Sequence, residues 1–181
     1  VDTRWSDAAT PGAPSEPMPS DPTWSGGTLY TDVREVRTTA SPERVWRALE
    51  GIGGEQGWYA ADGLWRLRGL MDRLVGGVGL RRGRRDPNVV FVGDALDFWR
   101  VEERIEPSLL RLRAEMRMPG LAWLEFTVTA QADGGAVLRQ RASCVPRGLA
   151  GHVYWGSVAP FHVFVFPGMA RGIVAEAEAA S

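Results

Sequence analysis

The sequence predicts an α+β domain: one antiparallel sheet closed by a long apolar C-terminal helix, with two short helices after the first strand. Three observations carry this reading. Segments 109–118, 122–130 and 136–145 alternate apolar and polar side chains with period two. Segment 153–170 contains no charged residue and repeats apolar side chains at helical spacing. Between the first strand and the alternating region lie two amphipathic stretches, each ending in paired glycines.

The elements follow in order. Residues 1–27 are dense in Pro, Gly, Ser and Thr and read as a linker or loosely docked arm, pinned locally by Trp5 and Trp24; the domain is 28–181. Thr28 to Thr38 reads as a strand. Ser41-Pro42-Glu43 then opens a helix, with serine as cap, proline at the first helical position and glutamate against the dipole. Val45, Trp46, Leu49 and Ile52 form its apolar face. A second helix covers 62–75, with Leu64, Leu67, Met71, Leu74 and Val75 on one side. Pieces of strand are expected at 78–84 and 89–92, and a continuous strand at 95–105. In 109–118, Leu110, Leu112, Ala114, Met116 and Met118 share one face, opposite Arg111, Arg113, Glu115 and Arg117. In 122–130, Leu124, Phe126 and Val128 oppose Trp123, Glu125 and Thr127. Asp133-Gly134-Gly135 marks the hairpin before the last strand. The final helix spans 149–179, with Trp155, Ala159, His162, Phe166, Met169 and Ile173 on one stripe and kinks expected at Pro160 and Pro167.

Composition excludes several classes. All 21 basic residues are arginine, so Schiff-base lysine chemistry is ruled out. A formal net charge of −1 provides no general attraction to nucleic acid or anionic membrane. Cys144 is the only cysteine, which forbids an internal disulfide and suits a reducing, cytoplasmic setting; with His152 and His162 it cannot complete a Cys/His zinc site. No metal or cofactor is expected in this chain. It opens on Val1-Asp2 without a signal peptide, as a segment of a longer protein would.

Three motifs favour structural readings. Gly51-Ile52-Gly53-Gly54-Glu55-Gln56-Gly57 and Gly76-Gly77-Val78-Gly79 are glycine-rich, but neither fits G-x-G-x-x-G and both follow helices rather than open them. Arg81-Arg82-Gly83-Arg84-Arg85 lacks the interleaved aromatics of a nucleic-acid platform and reads as a solvated strand edge. Segment 153–170 has the length of a membrane span, yet its prolines and amphipathic neighbours favour a helix packed on the sheet.

Inward-pointing polar residues are the more informative signal, because a buried polar group needs a partner or a ligand. Strand parity takes Asp97 inward with Trp99 and Val101, and Gln140 inward with Leu138, Ala142 and Cys144; His162 shares the stripe of Trp155 and Met169. The three either orient a ligand's polar group or run acid–base chemistry, or each is a satisfied core group.

The chain resembles the START/polyketide-cyclase (SRPBCC) superfamily, the helix-grip fold. More narrowly, it is similar to a family of unknown function found at the C-terminus of atypical short-chain dehydrogenase/reductase-like proteins. The residues that carry the resemblance are Ser41 to Trp46, Gly51 to Gly54 with Gly57-Trp58-Tyr59, Asp72 to Gly79, Gly93 to Val101, and Tyr154-Trp155 with Pro160-Phe161-His162. It covers 28–175 and implies a curved sheet gripping the last helix around a cavity for apolar molecules, with cyclisation or hydrolysis in some members. It also implies an upstream Rossmann NAD(P)-binding domain as partner in larger relatives.

The resulting expectation is a binding domain for an apolar or amphipathic small molecule. Its wall candidates are Trp46, Trp58, Tyr59, Trp99, Leu112, Met116, Phe126, Trp155 and Phe166, and its polar contacts Asp97, Gln140 and His162. The alternatives are a catalytic or substrate-binding part of an NAD(P)-dependent reductase or cyclase-type enzyme, with Asp97 and His162 acting, and an interaction module docking through the arm.

Overall fold

The structure is a computed structural model that describes residues 28–53, 57–59, 63, 76, 86 and 89–179, except the side chains of Phe161 and Phe164. The arm 1–27, the helix expected at 62–75 apart from the helical Gly63, the strand piece at 78–84 and the arginine run 81–85 lie outside the described residues.

The chain runs β1 (Tyr30–Thr38), α1 (Pro42–Glu50), β2 (Ala95–Leu96), β3 (Trp99–Ile105), β4 (Leu109–Ala114), β5 (Gly120–Ala130), β6 (Ala136–Pro146) and α2 (Gly148–Ala179). The strands form a six-stranded antiparallel sheet in the order β1-β6-β5-β4-β3-β2. Period-two alternation is what such a sheet requires when only one face is covered by helices. Leu110, Leu112, Leu124, Phe126, Val128 and Leu138 line the covered face and are at most 5% exposed. The outer face carries ion pairs instead: Arg111 to Glu103 and Glu125, and Arg141 to Glu125. Trp123 belongs to the outer face by register, beside Ser143 and Arg113, yet is buried.

Helix α1 begins as its sequence suggests, with one difference. Ser41 supplies its carbonyl to the Arg44 and Val45 N–H groups, but its side chain makes no cap bond to the backbone. Its hydroxyl goes to Glu43, whose carboxylate is held below its ordinary range by its own backbone N–H and then by Ser41. Gly51 ends the helix through its N–H to the Arg47 and Ala48 carbonyls, and Gly53 donates its N–H to the Gly57 carbonyl at 2.7 Å. Gly51 thus takes the helix-ending role read for this string, and 77–79 of the second string lie outside the described residues.

Three strand expectations need correction. Residues 89–92 form no strand. The strand at 95–105 is two strands, because Asp97 takes a left-handed φ of 56° and turns the chain back between Leu96 and Trp99. The strand at 109–118 ends at Ala114.

A β-bulge between Val101 and Glu103 reverses parity in the rest of β3 and carries Arg104 to the inner face. There it meets Glu50 at the end of α1 (2.7 Å) and Glu106 (2.8 Å), with its guanidinium 5.4 Å from the Trp46 ring centroid. Glu50 keeps only 7% side-chain exposure against 21% for Arg104. Removing one partner of such a pair leaves a poorly hydrated charge. Glu50→Ala is therefore expected to lower unfolding free energy by about 3 kcal/mol in urea titration, the lower end of the range for buried pairs.

Helix α2 bends by 56° between Gly148–Pro160 and Val165–Ala179. Pro160 and Pro167 lack the N–H groups that would bond one turn back, which weakens the helix at this point. The two halves then behave differently. Val165, Phe166, Met169, Ala170, Ile173, Val174 and Ala177 are buried against α1 and the sheet, whereas Leu149, Val153 and Val163 are exposed. Among the described residues, no single helix is long and apolar enough to cross a membrane.

Candidate functional site: the inner face beneath the open half of the last helix

The register sorts the covered face into rows that cross the sheet. One row runs Arg34, Gln140, Phe126, Leu110 and Arg104; the next runs Asp32, Ala142, Leu124, Leu112 and Val101. The third starts at Tyr30, Cys144 and Ala122. Continuing the β4–β5 register one residue past Arg113 and Trp123 adds Ala114, which pairs with Trp99. Bulky side chains fill the sheet under the C-terminal half of α2. Beneath the outward-leaning half, the floor is cysteine and two alanines. Ala114 and Ala122 keep partial accessibility although they face the helix, while Leu112 and Leu124 keep none.

Aromatic side chains stand at both ends of this small-residue floor. Tyr30 stacks on Trp155 with centroids 5.1 Å apart and planes 4° from parallel, and its hydroxyl is hydrogen-bonded to His152 Nδ1 at 2.8 Å. Across the sheet, Trp99 meets Trp58 and Phe98 at 6.3 and 5.7 Å between ring centroids. Four strand-to-strand steps separate the backbones of Tyr30 and Trp99, roughly 19 Å at the usual strand spacing.

Polar groups gather at the β1 edge. Arg34 and Asp32 form an ion pair in which Nη2 donates to Oδ2 at 3.2 Å, while Nε lies 2.8 Å from Oδ1 but out of line for a hydrogen bond. His162 Nδ1 lies 3.9 Å from Asp32 Oδ2, and the imidazole is edge-on to Trp155 (4.9 Å) and tilted against Phe166 (4.3 Å). Gln140 sits directly across from Arg34, 1% exposed, and neither its Oε1 nor its Nε2 has a hydrogen-bond partner. A buried polar group left unpaired costs about 1–3 kcal/mol; Arg34 Nε and the indole N–H groups of Trp46, Trp99 and Trp123 share this state, and Gln140 has two such atoms.

Asp97 has a different setting. It is also 1% exposed, but a turn rather than strand parity buries it, and Trp58 Nε1–H donates to its Oδ2 at 2.8 Å. It lies at the β2 edge, with β5, β4 and β3 between it and the strand of Gln140. The structure thus brings together His162, Trp155 and Phe166 beside Asp32, leaves Gln140 one row further along the sheet opposite Arg34, and places Asp97, Trp58 and Trp99 on the far side of the floor. Leu112 and Phe126 are fully buried in the middle rows, Met116 is 9% exposed beyond the end of β4, and Trp46 belongs to the packed half beside Arg104. Tyr59 donates its hydroxyl to the Ala48 carbonyl at 3.1 Å and lies against Gly172, where a Cβ would come within 2.5 Å of the Tyr59 Cβ.

Tyr30, Asp32 and Arg34 are additions that sequence reading missed. Both parities of β1 mix apolar and charged residues, so no apolar face marks which side turns inward. Their alternation with Val36 and Thr38 becomes a signal only once β1 is paired with β6. Among the described residues, no group of acidic, histidine or cysteine side chains could hold a metal ion. A depression on the outer face, lined by Glu35, Arg37, Glu125, Thr127, Arg139 and Arg141, is polar, and Arg139 and Arg141 are paired there with Glu35 and Glu125.

A curved antiparallel sheet holding a long C-terminal helix against its inner face is the helix-grip fold. Solved structures share it. Truncated norcoclaurine synthase from Thalictrum flavum superposes with a TM-score of 0.51 at 12% identity, over 81% of this chain and 92% of that one. The di-domain ARO/CYC StfQ from the steffimycin biosynthetic pathway gives 0.50 at 13% identity, over 83% of this chain and 51% of that one. At such identities the likeness establishes the fold. The chain belongs to the family described as "Protein of unknown function (DUF2867)", whose model matches residues 24–169. No curated protein matches the sequence.

Proposed function

We propose that this chain binds an apolar or amphipathic small molecule between the alanine floor of the sheet and the open half of α2. The observation that carries the reading is the floor itself: Cys144, Ala122 and Ala114 are small, they stand on the covered face, and both alanines stay partly accessible. Apolar walls supply affinity by area, and a few placed polar groups set orientation. Titration with the neutral fluorophore N-phenyl-1-naphthylamine should give saturable enhancement. Ala122→Trp, or the milder Ala114→Leu, should abolish it while circular dichroism stays native. Unsaturable enhancement, or binding indifferent to both substitutions, would remove the proposal.

The same reading makes the chain an accessory domain of a larger reductase-like protein, with a Rossmann NAD(P)-binding domain upstream. Its support is the resemblance carried by the glycine and tryptophan strings of residues 41–59 and 93–101. A catalytic version of the site would use His162 with Asp32, because these are the acid–base groups adjacent to the cluster. Asp97, engaged by Trp58 at the other edge, has no part in that version.

A further inference from the structure

We infer that the outer edge of β1 is a homodimer interface, where a second copy of this chain pairs its own β1 antiparallel about a twofold axis through Val33. Among the described residues β1 pairs with β6 alone, and no proline, glycine or register shift interrupts Tyr30–Thr38. The opposite sheet edge is β2, only Ala95–Leu96. A long regular edge strand presents a row of backbone donors and acceptors that another strand satisfies. Thr31, Val33, Glu35 and Arg37 are exposed along this one.

The side chains select both partner and register. Residues opposite each other in an antiparallel pair share a face, so the twofold axis must pass through one residue of β1. An axis at Asp32, Arg34, Glu35 or Arg37 sets two like charges against each other, which destabilises the pairing. Axes at Tyr30, Thr31 or Thr38 give almost no overlap, and an axis at Val36 pairs only residues 34–38. The axis at Val33 pairs residues 30–36. It sets Asp32 of each copy opposite Arg34 of the other, Thr31 opposite Glu35, and Tyr30 opposite Val36. The Asp32–Arg34 ion pair of each copy thereby joins a network of alternating sign. Val33, 39% exposed, meets its own copy on the outer face.

Helix α2 adds an apolar flank on the same side. His152, Trp155 and His162 turn it toward Tyr30 and Asp32 of β1. One flank, at Gly151 and Val165, is buried, and a Cβ at Gly151 would come within 2.5 Å of the Pro119 carbonyl oxygen. Two positions along a helix is about 200° around it, so Leu149, Val153 and Val163 occupy the opposite flank, past the β1 edge, and all three are exposed. Because α2 touches both β1 and β6, paired β1 strands set the two helices roughly 10 Å apart, the distance of packed helices. The second copy thus covers the strand edge and this flank together.

Sedimentation equilibrium of the full chain up to about 100 μM should give twice the 19.8 kDa of one copy. Val33→Glu puts two carboxylates on the axis, while within one copy it faces Arg141 across β6. It should weaken dimerisation at least tenfold with native circular dichroism. Val153→Glu on the helix flank should weaken it by a separate route, and answers the question even if the strand variant fails to fold. Oxidised Val33→Cys is expected to form a disulfide-linked dimer, since residues paired on the axis have Cα atoms about 5 Å apart. Glu35→Cys, roughly 14 Å from its mate in this register, should not. Cys144 is 2% exposed and stays in place as the unlinked background. A monomer at the highest concentration, a dimer indifferent to both glutamate variants, or cross-linking through Glu35→Cys in place of Val33→Cys would overturn the inference. None of these outcomes bears on the ligand-binding proposal.

Discussion

Asp97→Ala is expected to destabilise the domain by about 2–4 kcal/mol in urea titration, while Asp97→Asn loses less than about 1 kcal/mol. Two causes add. The alanine leaves the Trp58 indole N–H, at 1% exposure, without the carboxylate oxygen that accepts it at 2.8 Å. An unsatisfied buried donor costs about 1–3 kcal/mol. Position 97 also sits at φ 56°, in the left-handed region that asparagine and aspartate tolerate better than alanine. Asparagine keeps both the acceptor and the backbone preference. The asparagine variant should bind N-phenyl-1-naphthylamine as the parent does, since its amide oxygen still accepts the indole hydrogen bond that holds Trp58 beside Trp99. Equal losses for the two substitutions would show that neither the turn nor the indole bond matters to stability. Lost binding in the asparagine variant would move the site to the β2 edge.

Gln140→Leu carries the opposite sign. Leucine fills nearly the same volume and removes two unpaired buried polar atoms, so the ligand-free domain is expected to gain about 1–3 kcal/mol. For a domain of this size each kilocalorie raises the melting temperature by about 2–4 °C. A scan of the ligand-free variant should therefore show a rise. A fall in melting temperature would mean that Gln140 has a partner in the native state and that the amide is structural.

The packed half of the interface limits what the site can hold. Trp46, Met169 and Ile173 leave no room under the C-terminal half of α2, and the same α1 contacts fix where that half sits. The ligand is thereby confined to the half ahead of the bend, where Leu149 and Val153 remain exposed along the helix's outer side.

Much of this was legible in the residues. Leu110, Leu112, Leu124, Phe126, Val128 and Leu138 announce the inner face by alternation, and Gln140 joins them by the same parity. Pro160 and Pro167 announce the bend in the last helix. Asp97 was read as inward for the wrong cause: the expected strand is interrupted by a left-handed turn, which the local apolar pattern does not report. Arg104 could not be placed by parity at all, because a one-residue bulge reverses it midway along β3. Asp32 and Arg34 were hidden in a strand whose two faces look alike in composition.

By itself, then, the sequence determined the α+β class, the single covered face and the long gripping helix, because periods of two and 3.6 residues are local properties of the chain. Tertiary structure alone decided which polar groups share one place. Pairing β1 with β6 set Arg34 opposite Gln140 and Asp32 opposite Ala142, and the path of α2 brought His162 to Asp32. Cross-strand register, bulges and left-handed turns depend on partners distant in sequence, and a shift of one residue sends every side chain to the other face.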